Sequence, residues 1–171
     1  MSDVNYSNFE QLDFDALRGE EKLQALRNLT ELTDHHLTQQ VIAIGMNSEE
    51  DDLVRIEAWR ALGIATSSDP LDEVLHAAAQ LVRDPDEDED VQNYALQTLA
   101  LLPITEAEIQ LALEVLQGNA YILVKGAAFA VLAAHQHVSG ARSALESLQS
   151  DPDFGTSAKR VLQSNQGSDN L

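Results

Sequence analysis

A nine-residue pattern, apolar, then Ala four residues on, then Leu four further, occurs four times in this chain without a gap, and it limits the fold more than any single motif does. The copies are Val54-Arg55-Ile56-Glu57-Ala58-Trp59-Arg60-Ala61-Leu62, Val91-Gln92-Asn93-Tyr94-Ala95-Leu96-Gln97-Thr98-Leu99, Val124-Lys125-Gly126-Ala127-Ala128-Phe129-Ala130-Val131-Leu132 and Phe154-Gly155-Thr156-Ser157-Ala158-Lys159-Arg160-Val161-Leu162. Offsets 0, 4, 7 and 8 share one stripe of a helix with 3.6 residues per turn, and the Ala at offset 4 lets another helix come close. The copies start at 54, 91, 124 and 154, so they are spaced by 37, 33 and 30 residues, the period of stacked two-helix units rather than of propeller blades or heptads.

Each copy, read as an inner helix, needs an antiparallel partner in front of it, and every slot holds a helical pattern. Asp34 opens one through Leu37, Val41 and Ile44; Asp69-Pro70 supplies an N-cap and an N1 proline before Leu71, Val74, Leu75, Ala78 and Leu81. Thr105-Glu106-Ala107-Glu108 is a capping-box sequence ahead of Ile109, Leu113 and Leu116, and Val138 to Leu148 gives the last through Ala141 and Leu145. Gly63, Pro103 and Gly140 lie where helices should end or begin. A further helix from Glu20 to Leu32, with Leu23, Leu26 and Leu29 on one face, is expected to cap the first exposed face of the stack. Aromatic residues at only 5% fit closely packed helices better than strands. The expectation is an all-α repeat domain over residues 9–164, with flexible tails at 1–8 and 165–171.

Asp52-Leu53-Val54-Arg55-Ile56-Glu57-Ala58-Trp59-Arg60-Ala61-Leu62-Gly63 resembles the inner helix of HEAT repeats, whose pattern sets Asp, Val-Arg, Ala and Ala-Leu-Gly at these offsets. The second copy keeps Asp90, Val91, Ala95 and Leu99 but has Gln92 for Arg; the third keeps Val124, Lys125, Ala128 and Leu132; the fourth keeps little beyond Ala158 and Leu162. The resemblance covers residues 34 to 163 and implies a right-handed α-solenoid of about four hairpins with the inner helices lining a concave face. It also implies protein interaction more than catalysis. The paired His-Glu dipeptides of the deoxyhypusine-hydroxylase type are missing, and the alkyl-DNA-glycosylase type needs a basic concave surface. A bilin-lyase-like or chaperone-like subunit acting on a tetrapyrrole carrier stays open.

Ten Lys plus Arg against 29 Asp plus Glu give a formal charge of −19, a field that repels phosphate backbones and anionic lipid and speeds encounter with a basic protein. Direct nucleic-acid and membrane binding are therefore not expected. With no Cys there is no disulfide, thiolate metal site or Cys nucleophile. The N-terminus lacks a signal-peptide pattern and no apolar run approaches the roughly 20 residues of a membrane span, so a cytoplasmic location is the expectation. Asp34-His35-His36 and His135-Gln136-His137 read as exposed polar residues at helix ends, since adjacent His side chains on a helix diverge by about 100°. His76 reads as a half-buried, hydrogen-bonded histidine. There is no Gly-x-Ser-x-Gly elbow and no Gly-rich phosphate loop. No catalytic residue, metal site or cofactor is assigned.

Two surfaces remain as candidates for binding another protein. Inner-helix offsets 2 and 6 point away from the core and, with flanking residues, give Ile56, Glu57, Trp59, Arg60, Asn93, Tyr94, Gln97, Gly126 and Ala130; Trp59 is also a core position by its register. Because the third copy is small or apolar on every side, its helix is expected to be covered all round. The second surface is acidic: Glu49-Glu50-Asp51-Asp52 and Asp84-Pro85-Asp86-Glu87-Asp88-Glu89-Asp90 fall in equivalent turns of consecutive repeats, which stacking sets about 10 Å apart along one edge. Helix capping uses one or two acids per turn. A solvated loop, a docking edge for a basic partner and weak cation binding stay open for the remainder, and Asp86 to Glu89 are expected to be dispensable for folding. An acidic inhibitor of a basic toxin or nuclease is the charge-based alternative.

Overall fold

The structure, a computed structural model, describes residues 13–164; the tails expected at 1–8 and 165–171 lie outside them. Among the described residues the chain is helical almost throughout: α1 (Gly19–Arg27), α2 (His35–Met46), α3 (Asp52–Ile64), α4 (Asp72–Arg83), α5 (Glu89–Leu101), α6 (Glu106–Gln117), α7 (Ile122–Ala134), α8 (Ser139–Ser147) and α9 (Gly155–Ser164). The four pattern copies fall in α3, α5, α7 and α9, with only Phe154 one residue ahead of its helix. Every slot in front of them is occupied by α2, α4, α6 or α8.

The second helices of the hairpins form one continuous layer in which α1 packs on α3, α3 on α5 and α5 on α7. The first helices, α2, α4, α6 and α8, lie against them and touch one another more lightly. Ala58, Ala95, Ala128 and Ala158 are all fully buried, so the pattern's Ala is a core position in every copy. Between α3 and α5 the buried Thr98 hydroxyl donates to the Trp59 carbonyl at 2.7 Å. A Cβ on Gly63 would stand 3.2 Å from Leu101 Cδ1 and 3.3 Å from Thr98 Cα, so any side chain there would crowd the approach of α5. Trp59 is fully buried and donates its indole N–H to Gly45 O at 3.3 Å; a Cβ on Gly45 would fall 2.9 Å from that nitrogen.

The helix starts follow from local chemistry in most places. Asp34 Oδ1 accepts the Leu37 N–H at 2.8 Å, and Thr105 with Glu108 forms the reciprocal capping box. Asp69-Pro70 does not open α4: the helix begins at Asp72 after a Leu71 N-cap, and the Asp69 N–H bonds Ser67 Oγ instead. Just before it, Thr66–Ser67 (β2) forms a two-residue parallel pair with Glu31–Leu32 (β1), and Ser68 and Asp69 bend away from that pair. The two strands are equivalent exits from α1 and α3, so α1 stops at Arg27 rather than running to Leu32. α9 packs chiefly on α8 and the 3-10 turn Leu148–Ser150; the Phe129 and Phe154 rings, stacked with centroids 5.4 Å apart, tie its start to α7.

α1 also carries a degenerate copy of the pattern, beginning at Glu21. Ala25, Leu26 and Leu29 stand at the offsets of Ala58, Trp59 and Leu62 and are equally buried. α1 thus covers the first face of the stack in the register of α3, and its charged first position hid that register in the sequence.

Ala95→Asp is expected to cost at least about 3 kcal/mol, because an unpaired carboxylate would enter a dry contact between helices. Chemical denaturation reads this directly, and near-wild-type stability would mean that offset 4 does not face the neighbouring helix.

Candidate functional site

The acidic turns are built into the stack rather than hanging from it. Arg55, at offset 1 of α3, is 2% exposed; its Nε donates to Gly45 O at 3.2 Å within its own hairpin. Its two terminal nitrogens reach the next hairpin and donate to Glu87 Oε1 and Oε2 at 2.8 and 2.5 Å. Lys22, at the same offset of α1, pairs with Glu50 in the same manner. Each cation thus holds the following acidic turn. Gln92 keeps only the backward half, donating to Val82 O and Asp84 O. The hydrogen bonds that Arg55 donates to Glu87 raise its pKa against the lowering effect of burial, with Glu87 and Asp52 adding Coulombic support. A raised cation pKa stabilises the fold at every pH below the ordinary Arg range and is lost only above it, so this clasp adds no pH dependence near neutrality.

Other acids of the edge are also engaged. Asp51 caps α3 through the Leu53 N–H at 3.0 Å, and Asp88 caps α5 through the Asp90 and Val91 N–H groups at 2.9 and 3.2 Å. Asp84 accepts the Asp86 N–H at 3.0 Å, and Asp52 lies 3.6 Å from Arg55. The expectation that Asp86 to Glu89 are dispensable is corrected here, since Glu87 neutralises a buried guanidinium and Asp88 is a cap. Glu49, Asp86, Glu89 and Asp90 carry no side-chain hydrogen bond or ion pair among the described residues. They form the excess charge of the edge.

Along the second helices, Gln97 and Ala130 are exposed, while Ile56, Asn93, Tyr94 and Gly126 are half-buried. Trp59 belongs to the core and leaves the binding-face assignment. Glu57 is clasped by Arg27 at 3.3 Å and by Arg60, whose Nη2 also donates to Arg27 O at 3.3 Å, so Glu57 and Arg60 are already engaged within the stack. The third copy is not covered all round: a Cβ on Gly126 would meet nothing within 4 Å, and Ala130 is open.

The expected face was drawn too short. Leu53 and Leu123 stand at offset −1, and Ile64 and Leu101 at offset 10, on the same roughly 100° arc as offsets 2, 3 and 6. With Tyr121 and Ile122 they are the large apolar side chains between 47% and 60% exposed. Reading one residue before the pattern and two beyond it would have found them.

The two surfaces meet at the start of α7. An open groove of about 630 Å³ is lined by the acids 86–90 on one side and by Tyr121 and Leu123 on the other. Charge divides there too. Residues 1–119 hold 25 acids and 6 Lys plus Arg, a net −19, and residues 120–171 hold 4 of each.

His35, His36 and His137 are exposed as expected, whereas His135 and His76 differ from expectation. His135 is buried, with Nε2 3.1 Å from Leu99 O, so it joins α7 to α5; His76 is exposed. His35 is exposed near Asp69 and Glu73 at 3.5 and 3.9 Å. Among the described residues, no three His, Cys, Asp or Glu side chains converge as a metal-holding group, and no helix is long and apolar enough to cross a membrane.

Glu87→Ala is expected to cost about 3 kcal/mol by leaving the Arg55 charge buried and unpaired, and adding Arg55→Met should recover most of it. Asp86→Ser with Glu89→Ser should stay within about 0.5 kcal/mol of wild type. Urea titration of the set separates structural acids from spare ones. Comparison of the chain with protein-family models, with curated proteins and with solved structures gives no match, so its function is argued from this surface.

Proposed function

We propose that the chain is a cytoplasmic, non-enzymatic interaction module, a right-handed α-solenoid of about four HEAT-like hairpins that binds another protein along the outward line of its second helices. The observation that carries this reading is the placement of Leu53, Ile64, Leu101 and Leu123. Side chains that large cost free energy when left in water, at about 25 cal/mol per Å², and here they are collected on one arc of successive helices instead of scattered over the surface. Ile56 and Tyr94 stand between them, and Gly126 and Ala130 leave a smooth floor at the end of the line. A large partner residue could seat there, as anchors do at interface centres.

The acidic alternative, an inhibitor that occludes a basic toxin or nuclease, is supported by the spare carboxylates Asp86, Glu89 and Asp90 and by the concentration of the entire net charge in residues 1–119.

The test is capture from native lysate with the tagged wild-type chain and with an Ile64→Ser, Leu101→Ser variant of unchanged helicity, each at low and high salt. Proteins held by wild type at both salts and lost by the variant are the expected result. Proteins held equally by both, or none held by either, would overturn the reading. A single basic protein released only by salt would move the contact to the acidic edge.

A further inference from the structure

We infer that the groove at the start of α7 receives a segment of a partner protein in which Lys or Arg residues stand beside an apolar one, the cations over the 86–90 turn and the apolar side chain on Tyr121 and Leu123. This deepens the interaction reading and rests on it. Tyr121, Ile122 and Leu123 are consecutive, each about half exposed or slightly more, at the N-terminus of a helix with no acidic residue in its first turn. Nothing else in the described structure covers that end of α7, and the groove lies on it.

Charge decides the occupant. The opposite wall holds Asp86, Glu89 and Asp90, which have no side-chain partner among the described residues, beside Glu87 and Asp88, which do. The N-termini of α5 and α7 oppose them with roughly half a positive charge each, so the groove keeps a clear negative excess. A purely apolar segment would strip water from those carboxylates without return. A purely cationic one would leave Tyr121 and Leu123 wet. An amphipathic basic segment satisfies both walls, and the neutral balance of residues 120–171 fixes its direction, cations toward α5.

The probe is a synthetic peptide with lysine and leucine at helical spacing, followed by fluorescence anisotropy against the full chain. Two comparison peptides of equal length are oligolysine with the same charge and the same sequence with lysine replaced by glutamine. The mixed peptide is expected to bind about tenfold tighter than either. Asp86→Asn, Glu89→Gln, Asp90→Asn should weaken it about tenfold and flatten its salt dependence, whereas Glu21→Gln, Glu31→Gln, Asp72→Asn, which removes the same charge elsewhere, should change it less than about twofold. Leu123→Ser should weaken the mixed peptide and leave oligolysine unchanged. Equal binding of oligolysine, or equal weakening by the two charge-matched triples, would overturn the inference. If lysate capture depends on Leu101 but not on the groove triple, the inference fails while the interaction reading stands.

Discussion

Everything else in this molecule is arranged around the contact of second helix on second helix. Between α3 and α5 it brings the backbones close enough for the buried Thr98 hydroxyl to reach the Trp59 carbonyl of the preceding helix. A Cβ at Gly63 would crowd Thr98 there, and Trp59 packs under Gly45 of its own hairpin. The first helices then only fill the outer side of a layer already formed, which is why they touch one another lightly. Because the apolar stripe faces the hairpin partner and the neighbouring second helices, the remaining arc is left to solvent along α3, α5 and α7, and the candidate binding face is what the packing leaves over.

The legible part of the fold was the part fixed by period. The run of helices, their order and the cap at Asp34 follow from spacing and local chemistry alone. Where the structure departs, a tertiary contact overrode a local signal. Asp69-Pro70 reads as a helix start, but it follows the paired Thr66 and Ser67 through a bend in which the Asp69 N–H bonds Ser67 Oγ, and α4 starts later at Asp72. Glu21 reads as surface charge, so the copy in α1 was invisible until Ala25, Leu26 and Leu29 were seen in the core. His135 reads as an exposed residue at a helix end, yet it is buried with its ring nitrogen bonded to a carbonyl of α5.

The candidate site was legible in outline and not in detail, for the same reason. Composition shows that the turns are acidic, and it cannot show which acids are engaged, because the partners of Glu50 and Glu87 lie 28 and 32 residues away in sequence. A charge run that looks like one feature is two: carboxylates that clasp Lys22 and Arg55 or cap a helix, and carboxylates left facing water. The apolar positions at offsets −1 and 10 were missed because the pattern was read only as far as its core residues extend.

The uneven division of charge has one more consequence. With hairpins stacked in chain order and the whole net charge in residues 1–119, the centre of negative charge is displaced from the centre of mass. The molecule therefore has a permanent electric dipole as well as a monopole. A cationic body within a Debye length, about 8 Å at physiological ionic strength, exerts a torque that turns the α1 to α5 side toward it and the α7 to α9 side away. Contact then begins from one orientation, and the search over the surface is shortened before any side chain is touched.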